Sequence, residues 1–251
     1  MVTINQTWLQ QNINEKAHYS YWEHFKEYLG KSVGVFRALQ GTQKSMNVGS
    51  LMVEGVGYAA PSAVKSLGRN LGTGVAALGL PKIPSATSDA IKALSDLTKV
   101  DDVSFVRKAV KAVRETADMI ATVGFASIFV TGSPALATVA QVTDFTSDVA
   151  DLTLSVSDYQ KASALELGAT GDAKVAVSHT RKYNFLRVVK ATASVAAAIF
   201  GSVLLILGMP ILALAVIGLT ATFFAIARDI YKESGRFRVI NLDRPVMLAS
   251  I

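Results

Sequence analysis

The sequence predicts an all-α, helical membrane protein with one or two helical hairpins and an N-terminal amphipathic helix. Three observations predict it. Two stretches, Met119–Thr143 and Ala191–Ala227, contain no charged residue. Each is interrupted once by a proline-bearing turn, Gly132-Ser133-Pro134 and Gly208-Met209-Pro210. Charged residues are only 18% of the chain against 51% hydrophobic ones, and the mean hydropathy is +0.36. A typical soluble domain carries about a quarter charged residues. Cysteine is absent from the 251 residues, which excludes a disulfide scaffold, a thiolate metal site and a Cys nucleophile.

Residues 1–40 hold most of the early aromatics: Trp8, Tyr19, Tyr21, Trp22, Phe25, Tyr28 and Phe36. The spacing of Trp22, Phe25, Leu29, Val33 and Phe36 predicts an amphipathic helix. Its charges are mixed rather than strongly basic, which suits packing on a neighbouring helix better than lying among headgroups. No basic n-region and apolar core open the chain, so no cleaved secretory signal is expected. Val2 stands where N-myristoylation requires glycine.

Residues 41–84 are low in charge and rich in Gly, Ser and Ala, and read as a linker with short helices. Pro81-Lys82-Ile83-Pro84 closes it, and Ser85 to Asp89 supplies N-cap residues for the next helix. Gly68, Gly72, Gly74 and Gly79 have neither the spacing of a phosphate loop nor that of a dinucleotide fingerprint. They read as flexible or close-packing positions.

Residues 85–172 read as a weakly apolar hairpin, with helices from about Asp102 to Val130 and from Ala135 to Leu167 and a break at Gly168 to Asp172. Asp144, Asp148 and Asp151 fall at i, i+4 and i+7, on one helix stripe. Buried, such a polar stripe would bind cations or relay protons. The plainer expectation pairs it with Arg107, Lys108, Lys111 and Arg114 of the preceding antiparallel helix, or leaves it in water.

Residues 173–251 carry the stronger membrane hairpin. The charge-free run is about 37 positions long, where one crossing takes roughly 20. Pro210 has no amide proton and disfavours helix in the residue before it, so two arms of about 16 residues are expected around the turn Gly208, Met209 and Pro210. Arg181, Lys182, Arg187 and Lys190 flank one end, and Arg228, Lys232, Arg236 and Arg238 the other. Cationic flanks on both sides place both ends, and so the termini, on one cytosol-like face. Small residues along the arms, among them Ala193, Ala197, Gly201 and Gly218, predict self-association into a homo-oligomer.

The two hairpins share a pattern. Phe105-Val106-Arg107 leads to the first turn and Phe185-Leu186-Arg187 to the second; after the turns, Ser157-Asp158-Tyr159 resembles Arg228-Asp229-Ile230-Tyr231. An internal repeat of this kind reads as two copies of one supersecondary unit.

The bilobed apolar region around Gly208-Met209-Pro210, with its basic flanks, resembles that of chlamydial inclusion-membrane proteins. The likeness covers Arg181 to Arg236 and is one of hydropathy profile. It implies a type III-secreted effector that inserts a hairpin in the host-derived vacuole membrane with both termini in the host cytosol. Reticulon-like and peroxisomal membrane-shaping proteins have a similar profile. The absence of cysteine and the second hairpin depart from the pattern, and no functional residue is carried over.

No catalytic signature stands beside these features. His18, His24 and His179 contain no i, i+4 pair for a metal, and no nucleophile elbow surrounds a serine. The expected function is therefore non-enzymatic, with no cofactor: an integral membrane protein that shapes or scaffolds a lipid bilayer by hairpin insertion and self-association. Nucleic acid is not an expected partner, because Lys and Arg flank apolar runs instead of forming one basic surface. Two alternatives remain from the residues, a pore or transport protein built from the hairpin repeats and a soluble helical-bundle effector that binds a protein partner.

Overall fold

Between its glycine and proline punctuation the chain is dominated by good helix formers. In a computed structural model, which describes residues 6–64, 66–67, 80–131, 134–207 and 211–242, they propagate as long helices. These are α1 (Gln6–Gln11), α2 (Tyr21–Leu29), α3 (Ser32–Gly55), α4 (Ile83–Asp96), α5 (Phe105–Thr131), α6 (Pro134–Gly168), α7 (Gly171–Leu207) and α8 (Ile211–Ser234). A short 3₁₀ turn, Leu80–Lys82, leads into α4. The fold is all-α, with a single isolated bridge, Ile13 to Phe237, among the described residues.

Sequence neighbours are also neighbours in space. Helix α4 packs on α5, α5 on α6, α6 on α7 and α7 on α8, and α3 returns to lie along α8. Successive helices run antiparallel, so the ends joined at 132–133 and at 208–210 lie together, and the α6–α7 joint lies at the opposite end, the base. Gly171 makes that joint with φ +55°, a conformation that favours glycine. The interior is built from alanines, including Ala90, Ala112, Ala121, Ala140, Ala162, Ala176, Ala191 and Ala225. Such small residues let helix backbones approach closely. A Cβ added at Gly124 would lie 2.8 Å from the Cβ of Ala140, which fixes how near α5 and α6 stand.

The N-terminal reading is corrected. Residues 5–39 do not form one amphipathic helix: the chain breaks at Gly30 and Lys31, and Trp22 and Val33 are exposed. Ser20 and Glu23 start α2 with a reciprocal capping box. At the α2–α3 corner a Cβ on Gly34 would lie 1.8 Å from the Tyr28 carbonyl, so only glycine passes. The boundary at residue 41 also fails, because α3 continues through Gly41 and Gly49 to Gly55. Ser85 is not an N-cap. Helix α4 starts two residues earlier with Pro84 in its first turn, where a missing amide proton costs nothing, and Ser85 donates to the Lys82 carbonyl at 2.9 Å.

The base is closed by the two ends of the described chain. The Asn14 amide donates to the Arg236 carbonyl and the Arg238 amide to the Asn12 carbonyl, both at 2.9 Å. Phe237, Ile240 and Leu242 then join Leu9, Ala176 and Val177 in one apolar cluster.

The apolar run is arranged differently from a free hairpin. Its first arm is the far part of the 37-residue α7 and its second the near part of α8. The turn residues Gly208, Met209 and Pro210 lie outside the described residues. Among the described residues no helix is long and apolar enough to cross a membrane.

Candidate functional site

Charge is distributed unevenly along α5–α8. The segments nearest the turns, 119–131, 134–143, 191–207 and 211–227, have none and form a charge-free half, and the charged side chains meet beyond them, about 17–24 residues or roughly 25–36 Å from the helix ends at the turns. At that level a cavity of about 390 Å³ opens between the four helices. Helix periodicity puts the right side chains there. Arg107, Lys111 and Arg114 form an i, i+4, i+7 stripe on α5, Asp151, Leu154 and Asp158 a stripe on α6, and Tyr183 and Arg187 a pair on α7. Arg228, Asp229 and Lys232 complete the lining from α8.

Two buried carboxylates organise the lining. Asp158 is held by Arg107 at 2.5 Å and Arg187 at 2.8 Å. Asp151 is held by Arg114 and by the second nitrogen of Arg187, both at 3.1 Å. Arg187 therefore spans two aspartates with one planar fork, a geometry lysine does not have, and also donates to Asn184 at 3.1 Å. Burial pushes the Asp151 carboxyl up, but Arg187, Lys190 and Arg114 outweigh it and hold it below its ordinary range. Arg114 also contacts Glu115. On the α8 side Asp229 takes Arg228 at 2.5 Å and Arg37 of α3 at 3.2 Å. The Tyr28 hydroxyl, pushed up to about 12 by burial and by Asp229, donates to the same carboxylate at 3.4 Å.

The internal repeat meets at this cavity. Arg107 and Arg187, which follow the two Phe-x-Arg openings, clamp opposite oxygens of one carboxylate, Asp158. Asp158 and Asp229, the matching aspartates after the two turns, both line the space.

The polar stripe splits. Asp151 belongs to the network, Asp148 pairs with Lys190 of the following helix at 2.7 Å, and Asp144 stands exposed without an ion pair among the described residues. Of the cations on the preceding helix, Arg114 reaches the stripe. Lys108 turns away, pairing with Asp101 and donating to the Lys99 carbonyl, both at 2.6 Å.

The basic flanks split as well. Arg187, Lys190 and Arg228 face inward, with Arg187 only 13% exposed. Arg181 pairs with Glu166 at 2.9 Å across the α6–α7 joint, and exposed Arg236 pairs with Asp172 at 3.0 Å. Lys182, Lys232 and Arg238 are exposed. Burial wins at the inward positions because a carboxylate waits for each cation, on α6 for Arg187 and Lys190 and on α8 for Arg228.

Sequence reasoning assigned no role to Asp158, Tyr183 or Asp229; the repeat carried the signal for both aspartates. Among the described residues no His, Asp and Glu group has metal-site geometry. His179 is buried against Tyr231, with ring centroids 4.7 Å apart, and donates to the Lys232 carbonyl.

Fold and site together define a class: an all-α bundle with an ion-paired, cation-rich cavity at its base and charge-free helix ends. No known protein family, curated protein or solved structure matches the chain.

Proposed function

We propose that the protein is a non-enzymatic membrane-associating bundle that inserts the charge-free ends of α5–α8 into a bilayer and so shapes or scaffolds it. The observation that carries this reading is the segregation of charge along the helices. Phe125, Val139, Val142, Ile199, Phe200 and Phe223 are all exposed in the charge-free half. An exposed apolar surface of this kind marks a membrane or protein contact. Two apolar hairpin ends side by side act as a wedge in one leaflet, which requires no helix to cross. The resemblance to inclusion-membrane proteins supports the same placement, with the base and both termini on the cytosolic face.

One charge enters that half from α3. The Lys44 ammonium donates to the Gly218 carbonyl at 3.0 Å and the Thr222 hydroxyl at 2.9 Å. In the membrane reading this is a lysine satisfied by protein oxygens, as intramembrane cations are. The same contact favours a second reading, a soluble bundle in which α3 shields α8.

Flotation of the full chain with neutral phosphatidylcholine vesicles separates the two. The membrane reading expects wild type in the floating fraction, resistant to carbonate. It expects Phe200→Arg and Val142→Asp to leave that fraction, and Phe105→Arg, exposed near the base, to remain. A monodisperse, detergent-free wild type that does not float would overturn it in favour of the soluble bundle.

A further inference from the structure

We propose that the cavity between α5, α6, α7 and α8 is a binding site for a phosphate-bearing anion. The inference goes beyond membrane association and does not rest on it.

Six cationic side chains line the cavity, Arg107, Lys111, Arg114, Arg187, Arg228 and Lys232, against three carboxylates, Asp151, Asp158 and Asp229. Those carboxylates are already spent. Asp158 and Asp151 each hold two arginines, and Asp229 holds Arg228 and Arg37. Nothing in the lining remains to neutralise Lys111 on α5 and Lys232 on α8. Neither has an ion pair within 4.0 Å among the described residues; Asp96, which lines a neighbouring pocket with Lys111 and interacts with it electrostatically, is paired with Lys99 at 2.6 Å. Like charges gathered in a partly desolvated space repel, and an anion of two or more charges relieves that repulsion.

Size and chemistry narrow the ligand. A volume of about 390 Å³ falls within the range of small-molecule sites, roughly 300–1,000 Å³. It excludes a folded macromolecule, and the inward aim of Arg107, Arg187 and Arg228 excludes a nucleic-acid track. Guanidinium forks and ammonium groups are the side chains that recognise phosphate oxygens. The surplus positive charge excludes a metal cation.

The phosphate has two possible sources, a soluble phosphorylated small molecule or a lipid headgroup. The Lys190–Asp148 pair, which borders the charge-free half, stands next to the cavity network, so a headgroup at the bilayer surface is within reach.

Calorimetric titration of the full chain in neutral detergent micelles with inorganic pyrophosphate tests the site. Saturable one-to-one binding is expected, with a Kd of about 10–100 µM at low salt, the range of a few charge-assisted contacts. Lys111→Gln and Lys232→Gln should each weaken it about fivefold or more and the double variant more than either. Lys174→Gln, an exposed lysine near the α6–α7 joint, should leave it unchanged. The ligand-free variants should unfold at or above the wild-type temperature, which separates lost binding from lost folding. No saturable heat, or an undiminished affinity in the double variant, overturns the site. A second arm compares phosphatidylcholine vesicles carrying phosphatidylinositol bisphosphate with vesicles of equal charge carrying phosphatidylserine. Preference for the first, reversed by pyrophosphate, assigns the site to a headgroup; pyrophosphate binding without that preference assigns it to a soluble ligand. Failure to float on neutral vesicles would remove the membrane reading and leave the calorimetry standing.

Discussion

At the base of α5–α8, Arg107, Asp158, Arg187 and Asp151 tie three helices together through ion pairs. Toward the turns, two of those helices, α5 and α6, touch at Gly124 and Ala140 with no charge between them. The base gains directional specificity and pays in desolvation, because removing one partner strands another. The other end gains close approach from small side chains and tolerates no added volume. One set of helices thus uses two kinds of cohesion at two heights, and each kind fails in its own way.

The largest effect is expected at the base. Asp158→Ala leaves two arginines without their shared carboxylate, and a loss of about 3–5 kcal/mol is expected. The urea midpoint measures it, and a loss below about 1 kcal/mol would mean the ion pairs do not hold this end. Gly124→Val tests the other end. Its Cβ would meet Ala140 at 2.8 Å, and overpacking of this kind costs about 1–3 kcal/mol. Ala140→Gly in the same chain should recover part of that, a coupling a double-mutant cycle reads directly.

A smaller effect distinguishes a paired charge from an unpaired one by pH. Lys82 lies over the Phe36 ring and is pushed down to about 8 by burial and by Arg37. The unfolded chain keeps that proton up to about pH 10.5, so it binds more protons between pH 8 and 10.5 and stability rises across that window. Tyr28, raised to about 12, acts in the opposite direction above pH 10, so the rise is cleanest from 8 to 10. Lys82→Met should flatten it by about 1 kcal/mol. Asp151, held low by its arginines, contributes above the ordinary carboxylate range and loses that contribution as the pH falls through its lowered value. The smallest effect has the opposite sign. Gly49 has open space where a Cβ would go, so Gly49→Ala should stabilise by about 0.5–1 kcal/mol, read as a raised Tm.

Much of the helical part was legible in the sequence because breakers punctuate it. Expected helices at about 102–130 and 135–167 correspond to α5 and α6, and the break at Gly168–Asp172 to the Gly171 joint. The stretch after residue 41 was misread because glycine lowers helix propensity locally, whereas α3 is held by packing along α8, a partner about 180 residues away. At Gly41 a Cβ would meet Thr222 and Ile226 at ordinary contact distances, 3.7 and 4.0 Å, so the glycine lies on the face of α3 that packs on α8. The basic flanks were legible as positions and not as directions. Whether Arg187 faces water or the interior is decided by Asp158, on another helix, and spacing along α7 carries no information about that partner. The aspartate stripe, likewise, was visible as a face of α6, but its division among Lys190, Arg187 and solvent depends on where α7 lies.

The clasp between residues 12–14 and 236–238 sets an order of assembly. Helices α4 to α8 each pair with the element just made, so their contacts close short loops and form early. Helix α3 is synthesised before all of them, yet its partner α8 comes last, and the strand-like contacts of Asn12 and Asn14 need residues beyond α8. A growing chain therefore carries α3, packed only on α2, without its α8 partner until α4 to α7 have been made. The last of these contacts to close is the clasp that joins residues 12–14 to residues 236–238.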